Sequence, residues 1–317
     1  MTPSFPGIHM HLPILFAFFE FSRTAVSMCS AAIVLFLIAL WAAKTDIARA
    51  RGLDKIVALS NLCFALPLAV FGAEHLSAAQ FIQQAVPSFV PWHLFWAYFV
   101  GFALLAASLS IATKIQVRWS GLLFGIMMFL FVAMMDIPGA LASPRDRFAW
   151  TLLLREMAFG GGGWILAGSA LRGQGREPGR GQGLITVGRV FVGIAAIFYG
   201  IETFLHPLGM PGIPLEKLMS EWIPARPLIG YLTAAILIAA GVPILLAGKS
   251  RMTTRMAATY LGTWIVLLVV FVYGPILIAS LLDPSTAVKV EGLNYFFDTL
   301  LFAGAILALA SATPRTD

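Results

Sequence analysis

Apolar stretches of about twenty residues recur along almost the whole chain, and coiled as a helix each rises roughly 30 Å, the thickness of a bilayer's hydrocarbon core. They fall at about 25–43, 56–74, 93–113, 119–137, 149–171, 186–205, 227–247, 254–281 and 291–312. A backbone in lipid must satisfy its hydrogen bonds internally, so each stretch reads as a membrane-crossing helix. The expectation is an all-α polytopic membrane helix bundle with about nine transmembrane helices. Composition closes the soluble alternative: with 59% hydrophobic and 11% charged residues and a mean hydropathy of +0.88, a water-soluble globule could not cover its surface with polar groups.

Basic residues set the expected orientation, because loops facing the cytoplasm are enriched in Lys and Arg. With the N-terminus outside, the cytoplasmic segments carry fourteen basic residues, among them Lys44, Lys55, Lys114, Arg118, Arg180, Arg251 and Arg255, against six in the outer segments. This predicts a multi-pass protein of a bacterial-type inner (plasma) membrane with its C-terminus cytoplasmic. The pI of 9.6 then reflects loops facing anionic lipid, so the lipid bilayer is the expected partner and no nucleic acid is called for. No basic start, apolar core and small-residue cleavage site precede the first span, which is expected to stay in the protein. Residues 12–19 are also apolar, so that helix either starts earlier than residue 25 or follows an interfacial segment. Cys29 and Cys63 fall in different spans and form no Cys-x-x-Cys motif, which excludes a disulfide framework.

A second pattern lies over the first. Phe71-Gly72-Ala73-Glu74 returns as Tyr199-Gly200-Ile201-Glu202, 128 residues later; Val90-Pro91 and Tyr98 return as Ile223-Pro224 and Tyr231 after 133; Lys114 and Arg118 return as Arg251 and Arg255 after 137. Slowly growing offsets are what a duplicated unit shows when only its loops change length. The chain therefore divides into residues 1–55 with the first helix, a four-helix repeat over 56–171, a Gly/Arg linker over 172–185 and a second four-helix repeat over 186–312. An even helix number makes the repeats parallel, packed about a pseudo-two-fold axis along the membrane normal with a shared site near their interface. The linker reads as a flexible cytoplasmic tether. The loops at 75–92 and 206–226 are apolar and proline- or tryptophan-bearing, and are expected at the outer interface or dipping into the bundle.

Chemistry-bearing residues are few and cluster on the outer side. Glu74 and Glu202 recur at matching positions, where a carboxylate near hydrocarbon is costly unless it has a partner or reaches water. They are candidates for proton handling, against the simpler reading that each anchors its loop. His75, His93 and His206, together with His9 and His11, fall on the same side; such residues suit an interface, and they could equally assist a ligand site, relay protons or hold a metal. Arg155, Glu156 and Asp298 lie one to two turns inside the boundary, where they pair or line an aqueous cavity, and Arg155 and Arg226 could orient the polar groups of a ligand. Asp136 has no acidic counterpart near Tyr273-Gly274-Pro275. Gly160–Gly163 has no preceding strand and no Gly-Lys-Ser/Thr, so it reads as close helix packing rather than a phosphate loop. Met127, Met128, Met134 and Met135 share a helix face and read as apolar filling before any copper path.

The second repeat resembles the DoxX/DoxD-like family of small four-helix membrane proteins, through Gly188-Arg189-Val-Phe-Val-Gly193, Tyr199-Gly200-Ile201-Glu202 with His206-Pro207, Pro227 with Gly230 and Gly241, and the turn Arg251-Met-Thr-Thr-Arg255. It covers about 127 residues; the first repeat matches more faintly and has Asn61 where Arg189 would align. What the resemblance implies is a membrane protein linked to quinone-coupled oxidation or to a membrane redox complex, with a quinone as ligand and a redox partner subunit. The sequence itself carries no haem-attachment, cysteine-cluster or nucleotide motif. A proton-coupled small-molecule carrier and a non-catalytic subunit of a membrane complex stand as the alternatives.

Overall fold

The computed structural model describes residues 12–173, 179–246 and 251–313, with the side chains of 12–22 and of Arg251 outside the description. The segments are α1 (Leu12–Arg49), α2 (Asp54–Val57), α3 (Ser60–Ser77), α4 (Ala79–Ile82), α5 (His93–Thr113), α6 (Val117–Phe131), α7 (Ile137–Ala142), α8 (Arg147–Arg172), α9 (Gln182–Leu205), α10 (Arg226–Leu246), α11 (Arg251–Leu268), α12 (Gly274–Leu282) and α13 (Thr286–Ala312). Among the described residues the only β-type pairing is an isolated antiparallel bridge between Gly209 and Leu218.

Seven of the helical stretches are long and apolar enough to cross a membrane, and an eighth joins them if α3 and the bent piece after it count as one span. The chain turns by 86° between Ser60–Ser77 and Ala79–Ala85. Helix α8, at the remaining predicted position, is 26 residues long but falls outside that set. Its charges Arg147, Arg155, Glu156 and Arg172 and its four consecutive glycines dilute its apolar character. Neighbouring helices cover it instead: Ala158–Gly163 and Ile165–Gly168 are buried. Helix α1 begins at Leu12, earlier than its apolar core alone would place it.

Helix α3 packs on α5, α5 on α6 and α6 on α8; α9 packs on α10, α10 on α11 and α11 on α13. Between these two sets the order crosses over. The last helix of each set packs on the first helix of the other, α8 on α9 and α13 on α3, and α8 and α13 pack on each other. Helix α13 is the most enclosed element, buried without interruption from Phe297 to Ala310, while α1 lies against α3.

Several contacts occur twice, at the separations seen in the sequence. The helices α6–α7 and α11–α12 are each interrupted by a five-residue π-helical turn, Val132–Asp136 and Val269–Tyr273, 137 residues apart, each followed by a proline at the start of the next helix. Gly72 lets α3 approach Gly101 and Leu105 of α5; Gly200 lets α9 approach Ala234 and Ile238 of α10, 128 and 133 residues on. Asn61 donates to the Ile111 carbonyl at 3.2 Å, and Arg189 donates to the Ile244 and Leu245 carbonyls at 2.6 and 2.9 Å. Asn61 thus does with a short amide what Arg189 does with a guanidinium: both bond carbonyls in the last turns of a neighbouring helix. Arg189→Ala, which removes two charge-assisted bonds, should lower stability by about 1.5–3 kcal/mol, and Asn61→Ala by about 1 kcal/mol; equilibrium unfolding in mixed micelles followed by tryptophan fluorescence measures both.

The linker differs from a free tether at its described ends. Arg172 donates to the Ala312 carbonyl at 2.8 Å and to the Gln182 side chain, which ties the end of α8 to the end of α13 and the start of α9. The two apolar loops also diverge. Residues 206–225 fold inward, burying Met210, Ile213, Leu215 and Met219, and Tyr273 donates to the Pro211 carbonyl at 2.7 Å. Residues 78–92 turn outward instead, exposing Phe81, Phe89 and Trp92 by 74, 71 and 77%, as side chains resting in a membrane interface would be.

Candidate functional site at the helix 8 and helix 13 crossing

Both central helices expose glycine or alanine to each other where they approach most closely: a Cβ on Gly162 would lie 2.6 Å from the Ala305 Cβ. Two turns toward the Glu74 end the same seam carries long side chains. Arg155 on α8 donates to Asp298 on α13 at 2.7 Å and to its neighbour Glu156 at 3.0 Å, with side-chain exposures of 20, 9 and 16%. Arg155 and Asp298 stand 143 residues apart, as do Gly162 and Ala305, so α8 and α13 run side by side in the same direction along this seam. Of the two expectations for these charges, the pairing is seen, Arg155 with both Glu156 and Asp298.

Around this pair the carboxyl groups outnumber the cations. Asp136 stands at the end of the π-helical turn where its counterpart is Tyr273. Of the buried polar atoms with no hydrogen-bond partner among the described residues, four lie on α8, α13 and the π-helical turn: Asp136 Oδ2, Thr151 Oγ1, Arg155 Nε and Asn294 Oδ1. Such atoms are rare in folded proteins, since each leaves a desolvation penalty of about 1–3 kcal/mol uncompensated. Tyr199, fully buried, donates to the Thr151 carbonyl at 3.2 Å beside them.

The two glutamates have different partners. Glu74 accepts from Asn294 of α13 at 3.1 Å, whereas Glu202 lies 3.5 Å from Arg147 of α8 and 4.0 Å from His206. Each glutamate on the first helix of one set is therefore held by the last helix of the other. His75 is half-buried, its Nδ1 hydrogen-bonded to the Phe71 carbonyl at 2.8 Å. His93 opens α5 and His206 follows α9, half-exposed. Among the described residues no three His, Cys, Asp or Glu side chains are placed to hold a metal ion. Arg226 donates to the Met219 carbonyl at 3.1 Å and so secures the inward-folded loop. His9 and His11 lie outside the described residues.

Two cavities flank the first helix set. One, of about 790 Å³, opens at the end opposite Glu74 and is bordered by two ion pairs, Lys114–Asp46 and Arg255–Asp54 (2.7 Å), together with Asn61 and Gln116. The other, of about 830 Å³, runs between α5 and α6 from His75 to Gln116 and is almost wholly apolar. Sequence reasoning missed Asn294 and Arg147 as partners of the glutamates. The signal for Asn294 was present, an amide inside an apolar span one turn before Asp298; Arg147 reads as an ordinary loop cation until α8 begins at it. No family model, curated protein or solved structure matches this chain.

Proposed function

We propose that the chain is a DoxX-like inner-membrane protein of nine spans, two parallel four-helix repeats after an N-terminal helix, that binds a quinone or similar lipophilic carbonyl ligand toward the outer side and passes protons to or from it. The reading takes the N-terminus as outside and the C-terminus as cytoplasmic, from the distribution of basic residues. Duplication is supported by the paired π-helical turns, the paired glycine contacts and the matched roles of Asn61 and Arg189. The observation that carries the function is the set of three polar links between the repeats, Arg155–Asp298, Glu74–Asn294 and Glu202–Arg147, buried or half-buried within helices that are otherwise apolar. Ionisable groups so placed are expensive in a membrane and mark proton or ligand paths. In this reading Glu74 and Asp298 exchange protons, Glu202 serves the second repeat, Arg155 fixes the carboxyl groups and His75 borders the apolar cavity. Electrons would be exchanged with a redox partner subunit.

Glu74→Gln keeps an acceptor for Asn294 while removing the titratable group. Quinone affinity in nanodiscs, measured by quenching of tryptophan fluorescence, should fall about tenfold, or about 1.4 kcal/mol. Unchanged affinity in Glu74→Gln, Glu202→Gln and Asp298→Asn alike would remove the proton-handling reading. A carrier is the second reading, favoured by the polar cavity at the opposite end; proton-coupled uptake into proteoliposomes, lost with the same substitutions, would select it.

A further inference from the structure

The two helix sets differ most where their second and third helices meet. In the second set Trp264 of α11 donates through its indole N–H to Thr233 of α10 at 3.1 Å, which bridges the two helices. The residues standing at the same places in the first set, by the separations of 137 and 133, are Met127 of α6 and Val100 of α5. Neither can make that bond, both line the gap, and the gap is the apolar cavity of about 830 Å³. An indole bridges α10 and α11 where α5 and α6 leave a groove between them.

The open groove has a definite length and polarity. Along α5 it extends from Trp96 to Ser110, fourteen residues or roughly 21 Å at 1.5 Å per residue. A leaflet contributes only about half of the roughly 30 Å hydrocarbon core, so a chain filling the groove passes the bilayer midplane. No Asp, Glu, Lys or Arg lines it; its polar groups are His75 at one end and Ser110, Gln116 and Ser120 at the other. The outward-turned segment supplies Ile82, Val86 and Val90 to the rim beside His75, and residues 75–92 contain no charged side chain other than what His75 can acquire. Met127, Met134 and Met135 give the walls deformable side chains that adapt to an irregular chain.

We infer that the groove between α5 and α6 binds a neutral single-chain lipid, its long apolar chain lying along the two helices and its uncharged, oxygen-bearing head at His75. An anionic fatty acid would find no cation on the groove wall, and a two-chain phospholipid of one leaflet would fill only part of the length. The head would lie beside Glu74, whose side chain turns away from the groove toward Asn294. The inference deepens the reading above and rests on it only in taking the occupant to be lipophilic.

The test uses the full-length protein in nanodiscs of phosphatidylethanolamine and phosphatidylglycerol, with a long-chain prenyl alcohol carrying a diazirine midway along its chain as the photoprobe. Labelled peptides should map to α5 and α6, with at least tenfold less label in the α10–α11 pair. Met127→Trp with Val100→Thr copies the indole bridge of the second helix set and should cut the α5–α6 label at least tenfold. Trp264→Met should leave that label unchanged, and a photoreactive fatty acid or phospholipid should label the groove several-fold less. Equal labelling of the two helix pairs in the unaltered protein, or displacement of the probe by nanodisc phospholipid, would overturn the assignment without reliance on any variant. Glu74→Gln separates the two proposals. Groove labelling with unchanged quinone affinity in Glu74→Gln, Glu202→Gln and Asp298→Asn would retain the groove and remove the proton-handling reading; the converse would remove the groove alone.

Discussion

Asp298→Ala is expected to destabilise the protein by about 3–5 kcal/mol, the size of effect seen when one partner of a buried ion pair is removed and the other is left behind. Arg155 would keep Glu156 at 3.0 Å but lose its shorter bond, 2.7 Å to Asp298, at the seam between α8 and α13. A guanidinium within a membrane bundle has little recourse to water, so the helices must either separate or admit water to solvate it. Removing all the charges together should be far milder. In Arg155→Met, Asp298→Leu, Glu156→Gln no buried ion is stranded, and replacement of a buried pair by apolar groups is often neutral. Reversible unfolding in mixed micelles measures both. If Asp298→Ala were as stable as the triple variant, the guanidinium left behind would cost nothing and the expectation from a stranded charge would fail.

Gly188→Ala should cost about 2 kcal/mol, within the range for forcing extra atoms into a packed interface, while Gly183→Ala on the same helix should be neutral or add up to about 1 kcal/mol from its better helix propensity. The opposite signs follow from where the two glycines stand. A Cβ on Gly183 meets nothing within 4 Å, whereas one on Gly188 would overlap the Gly161 carbonyl oxygen and lie 2.8 Å from Ile165. Gly161 is the reciprocal case, its Cβ 2.9 Å from the Gly188 oxygen, so α8 and α9 touch backbone to backbone. Between membrane helices, where lipid tails are as apolar as the side chains, such close packing supplies much of the association energy. Equal stability of the two variants in the same unfolding measurement would show that the contact is slack.

Much of this molecule could be read without coordinates because its constraints are local. Helix positions follow from apolar stretches, and the helices α5, α9, α10 and α13 fall where those stretches fall. Gly160–Gly163 reads as a packing surface, and three of the four make the contacts that join α8 to α6 and α9. The matching glutamates were equally legible. Their partners were not, since Asn294 lies 220 residues from Glu74 and the crossing of α13 onto α3 has no trace in either sequence segment.

The sequence alone determined an all-helical chain suited to a bilayer and the doubled spacing of its motifs, because each depends on residues close together in the chain or on a count. The tertiary structure decided which helices touch. It paired Arg155 with Asp298 across 143 residues, gave each glutamate to the opposite helix set, and left the α5–α6 groove open where Met127 stands in place of an indole. Those outcomes depend on rotation and crossing of whole helices, which the packing of small residues along α8 and α13 settles only when all the helices are assembled.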